Sequence, residues 1–299
     1  VLSVVAGILL PVFIVTAIGY GWAKLDLPLD RDFVARLVMN VATPCLIVDS
    51  VSKLGLPLGD FLAMLESGAL MLIGTAAIGA LLLRILGLPQ RSFLPSLTFG
   101  NAGNIGLPLS YFAFGDIGLG LSSGVFLMAV VVQFTLAPAL QDRKPALKSL
   151  LTTPVVYGSA LGIALLASGT RLPGWLDTTI GLLADIAIPL SLLTLGFALA
   201  QFRVRRAPVA IGLGVGRIAV GFTVAIAVAA LLGMTGIARS VLVLHGGMPS
   251  AIVCYLMAAR YDRDPEDVAG IVLISTFVAA LLLAPLVAFV LWLNGPLPG

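Results

Sequence analysis

Apolar residues run along this chain in ten stretches, each near the 20 residues that a helix needs to cross a bilayer. They are expected near 3–23, 33–53, 61–86, 92–114, 118–141, 150–169, 176–201, 208–232, 237–259 and 266–293. Polar and charged residues collect in short connections, so no soluble domain is inserted between spans. Two stretches carry a polar interruption. Gly100-Asn101-Ala102-Gly103-Asn104-Ile105-Gly106-Leu107-Pro108 sits inside the fourth, and His245-Gly246-Gly247-Met248-Pro249-Ser250 inside the ninth. Glycine weakens a helix and proline removes a donor and clashes with the preceding turn. Both spans are therefore expected to break, the first around Pro108 and the second around Pro249. Irregular backbone at membrane depth is tolerated only against protein or a watery cavity.

Composition agrees with the pattern. Of 299 residues 60% are hydrophobic and 10% charged, and the mean hydropathy is +1.12. The expectation is an all-α membrane protein embedded in the lipid bilayer. A net charge of +3 does not suggest a nucleic-acid partner. Cys45 and Cys254 form no framework and no metal pattern. The first apolar run, Val4 to Trp22, lacks a basic leader and is read as a span rather than a signal peptide.

Prolines suggest an internal repeat. Pro11, Pro44, Pro108 and Pro138 in the first five spans pair with Pro154, Pro189, Pro249 and Pro285 in the second five, separated by 141 to 147 positions. Five being odd, the second group enters from the opposite side, so the repeat is inverted. The expected halves are residues 1–141 and 149–299, joined near Gln141-Asp142-Arg143-Lys144-Pro145. Thirteen Lys and Arg lie on the connections after spans one, three, five, seven and nine. The opposite connections hold Lys53, Arg171 and Arg239. This bias places the basic side in the cytoplasm and both termini outside a cell (inner) membrane.

The interruptions are the candidate site. Asn101 is expected about 14 Å into span four and His245 about 12 Å into span nine, at 1.5 Å per residue. The breaks are thus at similar depth. Half-helix N-termini offer N–H donors and partial positive charge to an anion. The candidate binding residues are Asn101, Gly103, Asn104, Pro108, His245, Gly247, Pro249 and Ser250. The alternative is that the breaks are packing kinks. Asp49, Glu66, Asp185 and Arg217 are ionisable residues within spans and are candidates for proton or charge coupling. Asp185 with Arg217 is a plausible pair, and His245 titrates near the physiological range in water. The competing role for these is a structural ion pair or hydrogen bond. No catalytic constellation, nucleotide fingerprint or metal spacing appears, so neither an enzyme nor a cofactor is expected.

The segment from Gly100-Asn101 to Gly106-Leu107-Pro108-Leu109 resembles the fourth-span motif of the auxin efflux carrier family. Met248-Pro249-Ser250-Ala251-Ile252-Val253, followed by Ala258-Ala259-Arg260-Tyr261-Asp262 and Pro265, resembles the ninth-span motif and its loop. Asn40-Val41-Ala42-Thr43-Pro44 and Ile188-Pro189-Leu190 through Leu195-Gly196 are similar to the second and seventh spans. The resemblance implies ten helices in two inverted groups of five with crossed broken helices four and nine, related to the bile-acid/sodium symporter architecture. It implies a scaffold of spans one, two, six and seven that makes a homodimer contact. The other six spans would form a mobile transport unit working by elevator-type alternating access. It further implies a small organic anion as substrate, with Asn101 as a contact and Glu66 at a supporting site. The missing long loop after span five favours a bacterial-type member and weakens auxin as substrate. The expectation is a secondary transporter of a small mono- or dicarboxylate. The rivals are a sodium-coupled symporter of related architecture and a non-transporting receptor on the same scaffold.

Overall fold

The computed structural model describes residues 2–53, 57–140 and 153–293. The expected junction at Gln141–Pro145 lies outside the described residues. Described elements are helical, apart from one isolated antiparallel bridge. In chain order they are α1 (Leu2–Lys24), α2 (Arg31–Leu37), α3 (Thr43–Ser52), α4 (Leu58–Ile85), α5 (Gln90–Thr98), α6 (Leu107–Leu140), α7 (Pro154–Ser168), α8 (Gly174–Asp185), α9 (Ala187–Gln201), α10 (Ala207–Leu231), α11 (Gly236–Gly246), α12 (Ile252–Tyr261) and α13 (Pro265–Leu293).

Among the described residues, seven helical stretches are long and apolar enough to cross a membrane. Helices α7 and α12 are shorter apolar helices. Each predicted span has a helical counterpart; α2 with α3 and α8 with α9 run on as single helical stretches, whereas two predicted spans are pairs of helices parted by extended residues, α5 with the start of α6 and α11 with α12. The end of span four and the start of span five share α6, which turns at Gly115 (φ 63°, ψ −152°). Only glycine holds that backbone at little cost.

Proline shapes the helices differently from the sequence expectation. Pro44 and Pro108 do not break their segments. Each sits in the first turn of a helix that continues from a wider π-type turn, Val38–Ala42 before Thr43-Pro44 and Ala102–Gly106 before Leu107-Pro108. A proline ring collides with the carbonyl four residues earlier, and one widened turn moves that carbonyl aside. The break in the fourth span lies earlier, at Phe99 to Asn101. Pro11 lies inside α1, whereas its proposed partner Pro154 opens α7. That pair does not occupy equivalent places, and the spacing of prolines alone does not define a repeat.

Glycine allows the closest helix approach. A Cβ on Gly196 of α9 would overlap the Thr16 carbonyl of α1, and one on Gly19 of α1 would overlap the Leu193 carbonyl of α9. Pro44 of span two lies against Gly158 of α7, and α3 packs along α7 and α8. Elsewhere α4 packs on α6 and α10, and α10 packs on α11 and α13. The segments of spans three, four, five, eight, nine and ten are thus in mutual contact beside the group formed by one, two, six and seven.

Candidate functional site

The site begins with the two interrupted segments. Phe99 is extended (φ −91°, ψ 107°) and ends α5. Asn101 (φ −75°, ψ 62°) precedes the next helix and caps it, its Oδ1 accepting from the Asn104 N–H at 3.3 Å. Ala251 (φ −72°, ψ 144°) is likewise extended before α12. The two extended pieces run antiparallel and bridge at Gly100 and Ser250. Asn101 N–H donates to the Pro249 carbonyl at 2.7 Å, and Ala251 N–H donates to the Phe99 carbonyl at 3.0 Å. Backbone groups freed by one break are satisfied by the other, which is what a dry interior demands of them.

A cavity of about 280 Å³ lies beside this crossover. Its floor is Gly100, Asn101, Gly103 and Asn104 with Ala251 to Val253. The N-terminal ends of both outgoing half-helices therefore face it, and their first N–H groups have no intrahelical acceptor. Asn101 is 3% exposed, and its Nδ2 finds no acceptor among the described residues. Opposite stand Val38, Met39, Thr43 and Leu46 of span two, and Ile188, Ser191 and Thr194 of span seven. The lining continues through Asp32, Gln133, Ala198 and Leu256. These residues lie toward the chain ends that lead to Lys24, Arg203 and Arg260, so the cavity extends toward the basic connections. Among the described residues its lining includes one acidic residue, Asp32, and no Lys or Arg.

The other predicted residues are spread around this site. Pro108 is buried behind the cavity floor. Pro249 and Ser250 form the crossover, and Ser250 N–H donates to Ser275 Oγ at 3.1 Å. Gly247 lines a separate apolar groove between α10 and α13. His245 is 2% exposed and lies 2.6 Å from Ser122 Oγ through Nε2, against Gly106. It does not line the cavity.

The four ionisable candidates do not converge. Glu66 and Asp185 are exposed. Asp49 pairs with Lys53 at 2.6 Å, and Lys53 also reaches Asp177 at 3.3 Å, closing the ends of spans two and seven. Arg217 is 1% exposed. No ion pair joins it to Asp185 among the described residues, so the suggested pair is not formed. Asp185 ends α8 beside span two, whereas Arg217 lies in α10 behind the crossover. Residues missed in the sequence are Thr43, Ser191, Thr194 and Gln133. Thr43 and Ser191 flank Pro44 and Pro189, a signal that was available but carried no chemistry on its own.

Comparison with known proteins fits this geometry. A family model described as "Membrane transport protein" matches residues 4–145 and 139–287. The chain is similar to an uncharacterized transporter of Methanocaldococcus jannaschii, 24% identical over 276 residues, covering 83% of this chain and 86% of the relative. It is also similar to an uncharacterized transporter of Methanothermobacter thermautotrophicus, 29% identical over 275 residues, covering 88% and 89%.

Proposed function

The chain belongs to the membrane transport protein family, that of the auxin efflux carriers, and from this premise we propose that it carries a small organic anion across the cell membrane by alternating access. The carrying observation is Asn101: a buried, half-satisfied amide on a cavity floor built from two helix N-termini. A carboxylate accepts hydrogen bonds and only accepts them. It would take the free Nδ2 donor, and the partial positive charge of both helix ends favours it. Among the described residues the lining has no Lys or Arg, which favours one carboxylate on an apolar body over a dicarboxylate, because a second buried charge would lack a partner there.

In this reading, spans one, two, six and seven form the scaffold of a homodimer, and the remaining spans carry the crossover across the bilayer. The cavity's reach toward the basic connections corresponds to a cytoplasm-facing state, with both termini outside. Asp49, Glu66, Asp185 and Arg217 are proposed to shape the charge of the two units rather than to bind the anion. Asn101, Asn104 and Gly103 belong to the floor, Pro249 and Ser250 brace it through the crossover, and His245, Gly247 and Pro108 support it from behind.

The test is uptake of radiolabelled mono- and dicarboxylates into proteoliposomes. Saturable flux of at least one acid is expected. Asn101→Ala should lower it by about 100-fold, corresponding to about 2.7 kcal/mol of lost stabilisation, while the protein elutes and melts as folded. Full flux in that variant contradicts the site. Solute binding without flux in the wild type would instead indicate a receptor.

A further inference from the structure

The half-helices that end at the crossover, α5 and α11, bring their carbonyl ends together behind the cavity floor. Each such end is equivalent to about half a negative charge and leaves its last carbonyls without intrahelical donors. Arg217 of α10 sends its guanidinium into this place. Nη1 donates to the Leu97 carbonyl at 3.1 Å. The Gly246 carbonyl, at the end of α11, fills the position that a Cβ on Gly221 would need, and Nη1 lies 2.6 Å from that same position. On the opposite side Nη2 fills the position of a Cβ on Gly100. Two glycines therefore form a cradle that any side chain would close.

The guanidinium is sealed, yet it is not paired as buried cations usually are. No carboxylate forms an ion pair with it among the described residues, and its Nε has no acceptor there. Its titratable neighbours are Cys254 and His245. A charge inside a membrane bundle is retained only where something answers it. Here two helix ends do so. We propose that the converging carbonyl ends of α5 and α11 are a cation site, and that the guanidinium of Arg217 is its permanent, tethered occupant. In the transport reading above, on which this consequence rests, the site leaves no seat for a sodium ion at the crossover. The cation travels with the carrier and is not exchanged.

Thermal unfolding of the purified protein in detergent tests the site without any transported solute. Arg217→Ala opens a guanidinium-sized space. Guanidinium chloride at about 10 mM, too dilute to denature, is expected to raise that variant's midpoint by about 3 °C over equal choline chloride. The same pair of salts should leave the wild type unmoved. Identical variant midpoints in both salts overturn the proposal. In parallel, wild-type midpoints in sodium chloride and choline chloride are expected to coincide. A sodium-specific rise would reveal a vacant cation seat and overturn the proposal even if Arg217→Ala does not fold. Absence of carboxylate flux would count against the transport reading and changes neither midpoint.

Discussion

Gly100 shows how much a missing side chain can determine. Its backbone bridges to Ser250 on one side and touches the cavity on the other, while its absent Cβ leaves room for Arg217. Gly100→Ala keeps the backbone angles accessible but forces the guanidinium out of place. The expected cost is about 1–3 kcal/mol, the usual range for overpacking, read as a lowered melting midpoint. His245 gives a second case. Among the described residues its side-chain hydrogen-bond partner is Ser122, 2.6 Å away. Ser122→Ala leaves a buried ring nitrogen unsatisfied and should cost about 1–3 kcal/mol. Ser122→Thr, which keeps the hydroxyl, should recover part of that loss in the same melting experiment.

At the scale of elements, the sequence made the breaks visible but misplaced one. Gly, Asn and Pro clustered in an apolar run are enough to predict an interruption. They do not say which residue yields, because a proline can be absorbed by one widened turn, as at Pro108, or lie within the break, as at Pro249. The partner of a buried charge was less legible. Arg217 is answered by carbonyl oxygens, and every residue has one, so a search for a matching carboxylate led to Asp185. The cavity walls were illegible for a related reason: Thr43, Ser191 and Thr194 become meaningful only when spans two and seven stand opposite the crossover.

A further element-scale device is the Asp49–Lys53–Asp177 cluster joining α3 to α8. The hydrogen bond that Lys53 Nζ donates to Asp49, with the nearby charges of Asp49 and Asp177, raises the Lys53 pKa above 10.5. Stability from this raised group is complete below the unfolded-state value and is lost as pH climbs through the folded one. Lys53 contributes no change in stability between about pH 6 and 9, and Lys53→Met should cost no more than about 1 kcal/mol because the pair is exposed. A melting series across that range, run on both proteins, checks both statements.

For the whole molecule, spans two and seven stand across a polar-floored cavity from the crossover of spans four and nine. The direction of that cavity gives an accessibility prediction. Thr194 stands on the cavity wall formed by span seven. Thr194→Cys, in a background with Cys45 replaced, should react with a membrane-impermeant thiol reagent applied from the side of the basic connections. Labelling only from the opposite side would contradict a cavity that extends toward those connections. Cys254, at 1% exposure, should stay unlabelled in the folded protein.

The hydrogen bonds between Asn101 and Pro249 and between Ala251 and Phe99 have one more consequence. They stitch two distant lengths of chain into a single knot, so neither can shift register without unpicking the other. Under the transport reading proposed above, a receptacle tied this way cannot be retuned in transit. It should grip its cargo with much the same strength at either face, and the direction of net movement would then be decided by the gradients outside it.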